Sequence, residues 1–192
     1  VNVSAFVEFE GLVRRYGGDI ADLCPQFGID PQLLRQPDQY VSCAGYIEIL
    51  EHCADVYRAP FFGLELGILQ GLNCFGPLSI LVSAADTVRD ALRAIVRHQG
   101  VQAPSLAMSL DDEPDGITEF RIATLLKGLS HKRQSHELGL SILMAALRML
   151  IDRDFCPLYV RIAAAEPDVG LRPIRSYFAS DLFYDQTESC IA

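Results

Sequence analysis

The densest group of side chains capable of chemistry is the stretch HKRQSHE, at residues 131–137. It stands at the start of the longest helical pattern in the chain, so we expect His131, Gln134 and Glu137 to lie near a helix N-terminus and to point into a cavity. Because a helix N-terminus favours negative charge, such a site could receive the carboxylate of a ligand. The alternative is a solvent-exposed first turn in which Glu137 complements the helix dipole.

Three further side chains could line a ligand pocket. Phe62 and Phe75 stand next to glycines, where an aromatic ring can border a hollow, although such rings are also ordinary core residues. Arg121 lies on a predicted strand among apolar neighbours. If it faces the covered side of the sheet it needs a charged partner, and if it faces outward it carries no functional meaning.

The sequence lacks the motifs that identify common catalytic and metal sites. It contains no Gly-rich phosphate loop, no H-E-x-x-H and no G-x-S-x-G. His131, His136 and Glu137 could meet around zinc, but nothing in the sequence supplies the hydrogen-bond partners that orient zinc ligands. No nucleophile with an adjacent base can be identified. We therefore predict no catalytic residue, no metal and no cofactor, and a protein that is not an enzyme.

Composition and charge favour a single domain of 192 residues that does not itself grip DNA. Half of the residues are hydrophobic, enough to bury a sizeable core. The net charge is −9, from 25 acidic against 16 basic residues, and the only lysines are Lys127 and Lys132. Duplex binding requires clustered basic residues that displace counterions from phosphates. No apolar run is long enough for a transmembrane helix, so we expect no membrane association.

Cysteine usage points to a reducing compartment. The six cysteines are scattered, without a C-x-x-C pair, and no signal peptide precedes them. A chain of this size and apolar content does not need disulfides to fold. We therefore expect reduced, mostly buried thiols and a cytoplasmic protein.

The order of elements predicts an α+β fold: a helical N-terminal half and a small, at least partly antiparallel sheet packed against a long helix. Alternating residues around DDEPDG predict a hairpin with strands near 105–110 and 117–123. The long helix, near 134–152, is apolar on two sides and should be packed on both. A strand within 156–164, a short helix after Pro167 and further strand complete the pattern. The apolar segment 77–85 predicts a central helix.

Four colinear segments resemble the N-terminal, ligand-sensing domain of AraC-type transcription regulators, in the arabinose-binding branch. They are GIDPQLLRQPDQYVS, FFGLELGILQGLNCFGPLSILVSAADTVRDALRAIVRH, RQSHELGLSILMAALRMLIDRDFCPLYVRIAAAEP and IRSYFASDLFYDQTESCIA. Together they cover nearly the whole chain from about residue 11, and the series carries the resemblance rather than any single motif. Pro77 and Ser180 depart from the residues usual at their positions, without consequence for the fold.

The resemblance implies a cytoplasmic bacterial transcription factor, plausible as an activator, that binds a small-molecule effector and forms a homodimer. DNA would be contacted only through a separate C-terminal pair of helix-turn-helix units, and RNA polymerase is a possible partner of the full-length protein. The chain begins without methionine and stops in an apolar stretch, which favours a piece of a longer polypeptide. The label arabinose-binding does not identify the effector, because pocket side chains vary within one fold. The alternative from the residues alone is a small α+β enzyme or a haem-type sensor.

Overall fold

The computed structural model describes residues 1–36, 38–129 and 132–192, with the backbone alone at 101 and 102. The described residues form α-helices α1 (Phe9–Arg15), α2 (Ile20–Leu23), α3 (Cys43–Val56), α4 (Phe62–Gln70), α5 (Leu78–Ser83), α6 (Val88–Gln102), α7 (Arg133–Leu150) and α8 (Arg172–Phe178). Their strands are β1 (Leu106–Asp112), β2 (Thr118–Thr124), β3 (Tyr159–Arg161), β4 (Asp181–Phe183) and β5 (Ser189–Ile191). Short 3₁₀ segments occupy Val3–Phe6, Cys24–Phe27, Leu33–Arg35 and Gly71–Phe75.

The five strands form one mixed sheet in the order β1-β2-β5-β3-β4. The predicted hairpin is confirmed: β1 and β2 pair antiparallel with Met108 opposite Ile122, and the turn between them uses Gly116 at a φ of 84°. The pairs β2–β5 and β3–β5 are also antiparallel, whereas β4 lies parallel to β3 across the crossover helix α8. The α+β prediction is therefore confirmed.

Helix α7 separates two hydrophobic clusters, as its two apolar sides predict. Leu140, Leu143 and Met144 pack into the cluster shared with the sheet, α5, α6 and α8. Leu138 instead packs into the cluster formed by α1, α2, α3 and the start of α4. The long helix is thus the common wall of both cores, and it fixes the helical half relative to the sheet.

Helices α4 and α7 approach so closely that side chains are excluded between them. A Cβ on Gly63 would stand 2.0 Å from the carbonyl oxygen of Gln134, and one on Gly67 would stand 1.9 Å from Ser141 Oγ. Two glycines four residues apart lie on one face of a helix, so they present bare backbone along one line. We call this contact the α4–α7 seam.

The prediction that the helix in 77–85 is central is wrong. In α5, Leu78 and Val82 are buried, but Ile80 is 70% exposed and Leu81 is 53% exposed. The helix is six residues long and packs mainly against α6 and the 3₁₀ segment Gly71–Phe75. A helix with neighbours on one side buries only one stripe, even when all its residues are apolar.

Cysteine burial and helix hydrophobicity can be compared with the predictions of buried thiols and of no transmembrane helix. Of the six free cysteines, Cys24, Cys53, Cys74 and Cys190 are buried, Cys43 is half-buried and Cys156 is exposed. Within the described parts of the chain, no helix combines the length and apolar character needed to cross a bilayer.

Candidate functional site

The start of α7 is tied into the protein by Gln134, which is fully buried. Its side-chain Oε1 accepts the backbone N–H of Gly63 at 2.7 Å, and its Nε2 donates to the carbonyl of Pro60 at 2.8 Å. Its own backbone N–H donates to Glu51 Oε1 at 2.7 Å. A carboxylate from α3 therefore already lies at the helix N-terminus, where the sequence predicts a ligand carboxylate. His131 lies outside the described residues.

Glu137, one turn further along α7, is buried and half paired. Its Oε1 accepts hydrogen bonds from Arg133 and from the Tyr184 hydroxyl, both at 2.9 Å. Its Oε2 is buried without a hydrogen-bond partner among the described residues. Burial raises the pKa of Glu137 to about 7, against the lowering effect of Arg133 and Tyr184.

Arg121 lies on the sheet face opposite α7, because Phe120 and Ile122 on either side of it point into the core. Its Nε donates to Glu119 Oε2 at 2.8 Å, and it pairs with further acidic residues around it. Glu119 is itself buried and also accepts hydrogen bonds from Tyr159 and Arg161. Burial opposes ionisation of Glu119, but these partners lower its pKa on balance. Arg121 therefore belongs to a self-neutralised ion-pair network.

The two predicted aromatic residues lie in different places. Phe62 is fully buried in the N-terminal cluster, with its ring 6.1 Å from Phe9 in an edge-to-face arrangement. Phe75 is half-buried and lines a cavity. Of the five predicted site residues that the structure describes, Gln134 and Glu137 share one helix, and Phe62, Phe75 and Arg121 each lie elsewhere. The structure does not bring them together as one site.

The cavity beside Phe75 lies between the helical half, the end of α6, strand β1 and α7, and has a volume of about 120 Å³. Its described lining side chains are buried or half-buried and predominantly apolar; they include Ile47, Phe75, Leu106, Met108, Leu138 and Ile142. No acidic, basic or histidine side chain is among the described residues that line it. Mostly apolar walls with a few placed polar groups are typical of small-molecule sites.

Two glutamines supply the placed polar groups. Gln70, at the end of α4, and Gln99, in α6, both line the cavity. The Oε1 atom of each is buried and has no hydrogen-bond partner among the described residues. Sequence reasoning missed both. Gln70 carried a signal, since it closes the apolar run GILQ, but Gln99 stands in the polar run RHQG and carried none.

Two larger hollows are surface grooves. One, of about 760 Å³, includes Arg35 and Asp38, and the other, of about 960 Å³, includes Arg58 and Asp168. These four side chains are exposed, so both hollows open to solvent beside charged groups. Among the described residues, no group of three or more His, Cys, Asp and Glu side chains could hold a metal ion.

Comparison with known proteins gives three findings. The family model for the arabinose-binding domain of AraC transcription regulators, N-terminal, matches residues 17–192. The HTH-type transcriptional regulator VirS of Mycobacterium tuberculosis, in two strains, is 29% identical over 143 residues, which cover 74% of this chain and 42% of VirS. The crystal structure of the transcriptional regulator CdpR from Pseudomonas aeruginosa matches with a TM-score of 0.61 and 17% identity, over 94% of this chain and 54% of that chain. The likeness to CdpR shows a shared fold, and the match spans less than half of VirS.

Proposed function

Because the chain belongs to the arabinose-binding domain family of AraC transcription regulators, we propose that it is the effector-sensing domain of such a regulator. The observation that supports this most directly is the apolar cavity with two buried, unpaired amide oxygens, between the helical half and the sheet. A bound molecule that donates hydrogen bonds to these oxygens would satisfy them.

The position of the cavity suggests how binding is transmitted. Its walls come from the N-terminal segment, α3, α6, β1 and α7, so a ligand contacts both layers of the fold. A ligand shifts an equilibrium only when it binds two conformations with different affinity. We propose that filling the cavity favours one arrangement of the helical half against α7 and the sheet.

The partners follow from the same proposal. DNA would be contacted by a helix-turn-helix part of the protein outside these 192 residues, which agrees with the net charge of −9 and with the partial coverage of VirS. The proposal includes a homodimer, the commonest form of soluble oligomer. The regulator acts in the cytoplasm as an activator that contacts RNA polymerase. The whole of residues 1–192 forms one regulatory domain.

A thermal-unfolding screen of the chain tests the proposal. The panel contains sugars, amino acids, fatty acids and small aromatic compounds. A true effector at a hundredfold excess over its dissociation constant adds about 2.7 kcal/mol, which raises the melting temperature by roughly 5–10 °C for a chain of this size. Duplex DNA should give no shift. The proposal would be overturned if no compound in the panel raised the melting temperature, or if the protein showed the Soret absorption of a bound haem.

A further inference from the structure

We propose that the cavity binds a small, uncharged, mainly apolar molecule that carries one or two hydroxyl groups, and that Gln70 and Gln99 accept its hydrogen bonds. This inference rests on the proposed sensing function and narrows it to a chemical class of effector. It departs from the sugar that the family description names.

The orientation of the Gln70 side chain is fixed by its surroundings. Its Nε2 donates to the carbonyl oxygens of Ala5 and Val7, at 2.7 and 2.8 Å. The reverse orientation would press Oε1 against two carbonyl oxygens, so the amide can stand only one way round. Gln70 is 1% exposed and lines the cavity, and its buried Oε1 has no hydrogen-bond partner among the described residues.

Gln99 provides a second unpaired acceptor from a different element. Its Oε1 is also buried, and it reaches the same cavity from α6. A buried acceptor without a partner costs about 1–3 kcal/mol. Two such atoms around one apolar hollow select a molecule that brings hydrogen-bond donors. A hydroxyl supplies a donor without bringing a charge.

The lining disfavours charged effectors. Apart from the α-ammonium group of Val1, which donates to the Val41 carbonyl, the described residues around the cavity offer no charged group to pair with a carboxylate or an ammonium group. Transfer of an unpaired ion into such a place is strongly unfavourable. Charged effectors, including ionised amino acids, are therefore disfavoured relative to neutral ones.

The polarity of the lining disfavours sugars. The cavity volume is about 120 Å³, slightly below the roughly 150 Å³ that holds a benzene ring. This is the scale of a single six-membered ring. A pentose would bring several hydroxyls, but two further polar groups of the lining are engaged, since Tyr46 donates to Ala5 and Ser135 donates to Lys132. Most sugar hydroxyls would then face apolar carbon.

The matched probes are phenol and toluene, which have nearly the same shape and differ in one hydroxyl. Calorimetric titration measures their binding to the wild-type chain and to Gln99→Met and Gln70→Met. Gln26→Met is the control, because Gln26 is an exposed glutamine that hydrogen-bonds only locally, to the Asp22 carbonyl. Gln99→Met keeps the test valid if Gln70→Met fails to fold after losing its contacts with Ala5 and Val7.

We expect phenol to bind the wild type about tenfold more tightly than toluene, since one hydrogen bond to a buried acceptor is worth about that factor. The preference should fall in Gln99→Met, in Gln70→Met or in both, and persist in Gln26→Met. Phenol binding that neither cavity substitution weakens would overturn the inference.

L-Arabinose and arginine, tested alongside, separate the two levels of the proposal. If either of them stabilises the chain while phenol and toluene are inert, the ligand class is wrong but the sensing function stands. If no compound of any class binds, both the ligand class and the sensing function are overturned.

Discussion

Helix α4 passes through two contrasting surroundings within three turns. At its first turns, in the α4–α7 seam, Gly63 and Gly67 leave no space for a methyl group, and Gln134 has both ends of its amide paired. At its last residue, Gln70 borders a cavity and has only its nitrogen paired. Both glutamines are almost completely buried.

The difference shows how a structural amide can be told from a binding one. Gln134 replaces backbone partners that α4 and the Pro60 turn lack, so its hydrogen bonds stabilise the fold directly. Gln70 uses its nitrogen in the same way, but its oxygen has no hydrogen-bond partner among the described residues. A buried acceptor retained without a partner calls for an explanation, and a bound ligand provides one.

The largest expected effect on the free energy of unfolding comes from a substitution that disrupts the α4–α7 seam. Gly63→Ala places a Cβ 2.0 Å from the Gln134 carbonyl oxygen, and both helices must move apart to admit it. We expect a loss of about 4 kcal/mol in the free energy of unfolding, measured by urea denaturation.

The control lies on the cavity side of the same helix pair. A Cβ on Gly139 would meet Ile122 Cδ1 at an ordinary 3.5 Å, so Gly139→Ala should stabilise α7 by up to about 1 kcal/mol through helix propensity. Equal destabilisation by both substitutions would contradict the contrast between seam and cavity.

Glu137 has one carboxylate oxygen hydrogen-bonded and one without a partner among the described residues. The pH dependence of stability tests this arrangement. The Glu137 pKa of about 7, raised by burial, exceeds the value near 4.3 of an exposed glutamate. The native state therefore holds a proton that the unfolded state releases, and the free energy of unfolding falls by about 3 kcal/mol as the pH rises from about 4.5 to 7. Arg133 and Tyr184 contact Glu137 directly, and Glu51 lies close enough to oppose its charge.

The matched variant is Glu137→Gln, which should lack this fall. Burial lowers the pKa of the neighbouring His136 to about 4, so its contribution runs oppositely and is lost as the pH falls from about 6.5 to 4. His136 is present in both proteins, and the difference between their unfolding curves therefore isolates Glu137. Parallel curves over this range would refute the raised pKa.

A smaller effect is expected when the paired glutamine is replaced. Gln134→Met keeps the length of the side chain but leaves the Gly63 N–H and the Pro60 carbonyl without this partner. We expect a loss of about 2 kcal/mol in the free energy of unfolding. A change below about 0.5 kcal/mol would mean that other groups replace both bonds.

The smallest expected change in the free energy of unfolding comes from a substitution in the cavity lining. Gln99→Met removes a buried oxygen that has no partner, so the free energy of unfolding without ligand should change by less than about 0.5 kcal/mol or increase slightly. A loss comparable to that of Gln134→Met would show that Gln99 is a structural amide after all.

The sequence by itself determined the elements of this protein. The alternation around DDEPDG predicted the hairpin because strand periodicity is local, and the two apolar sides of 134–152 predicted a helix packed on both faces. The length and net charge predict a single domain that does not itself bind DNA, and both stay predictions. The colinear motifs indicated the family, which the family match confirms.

Only the tertiary structure decided which polar groups are satisfied. Gln134 and Gln70 are both helical glutamines. Gln134 has its oxygen and its nitrogen hydrogen-bonded. Gln70 lines the cavity and has only its nitrogen hydrogen-bonded among the described residues. The exposure of Ile80 and Leu81, against their apolar pattern, has the same origin. Burial and pairing depend on neighbours that are distant in sequence, here 71 residues apart between Gly63 and Gln134, and no local pattern encodes them.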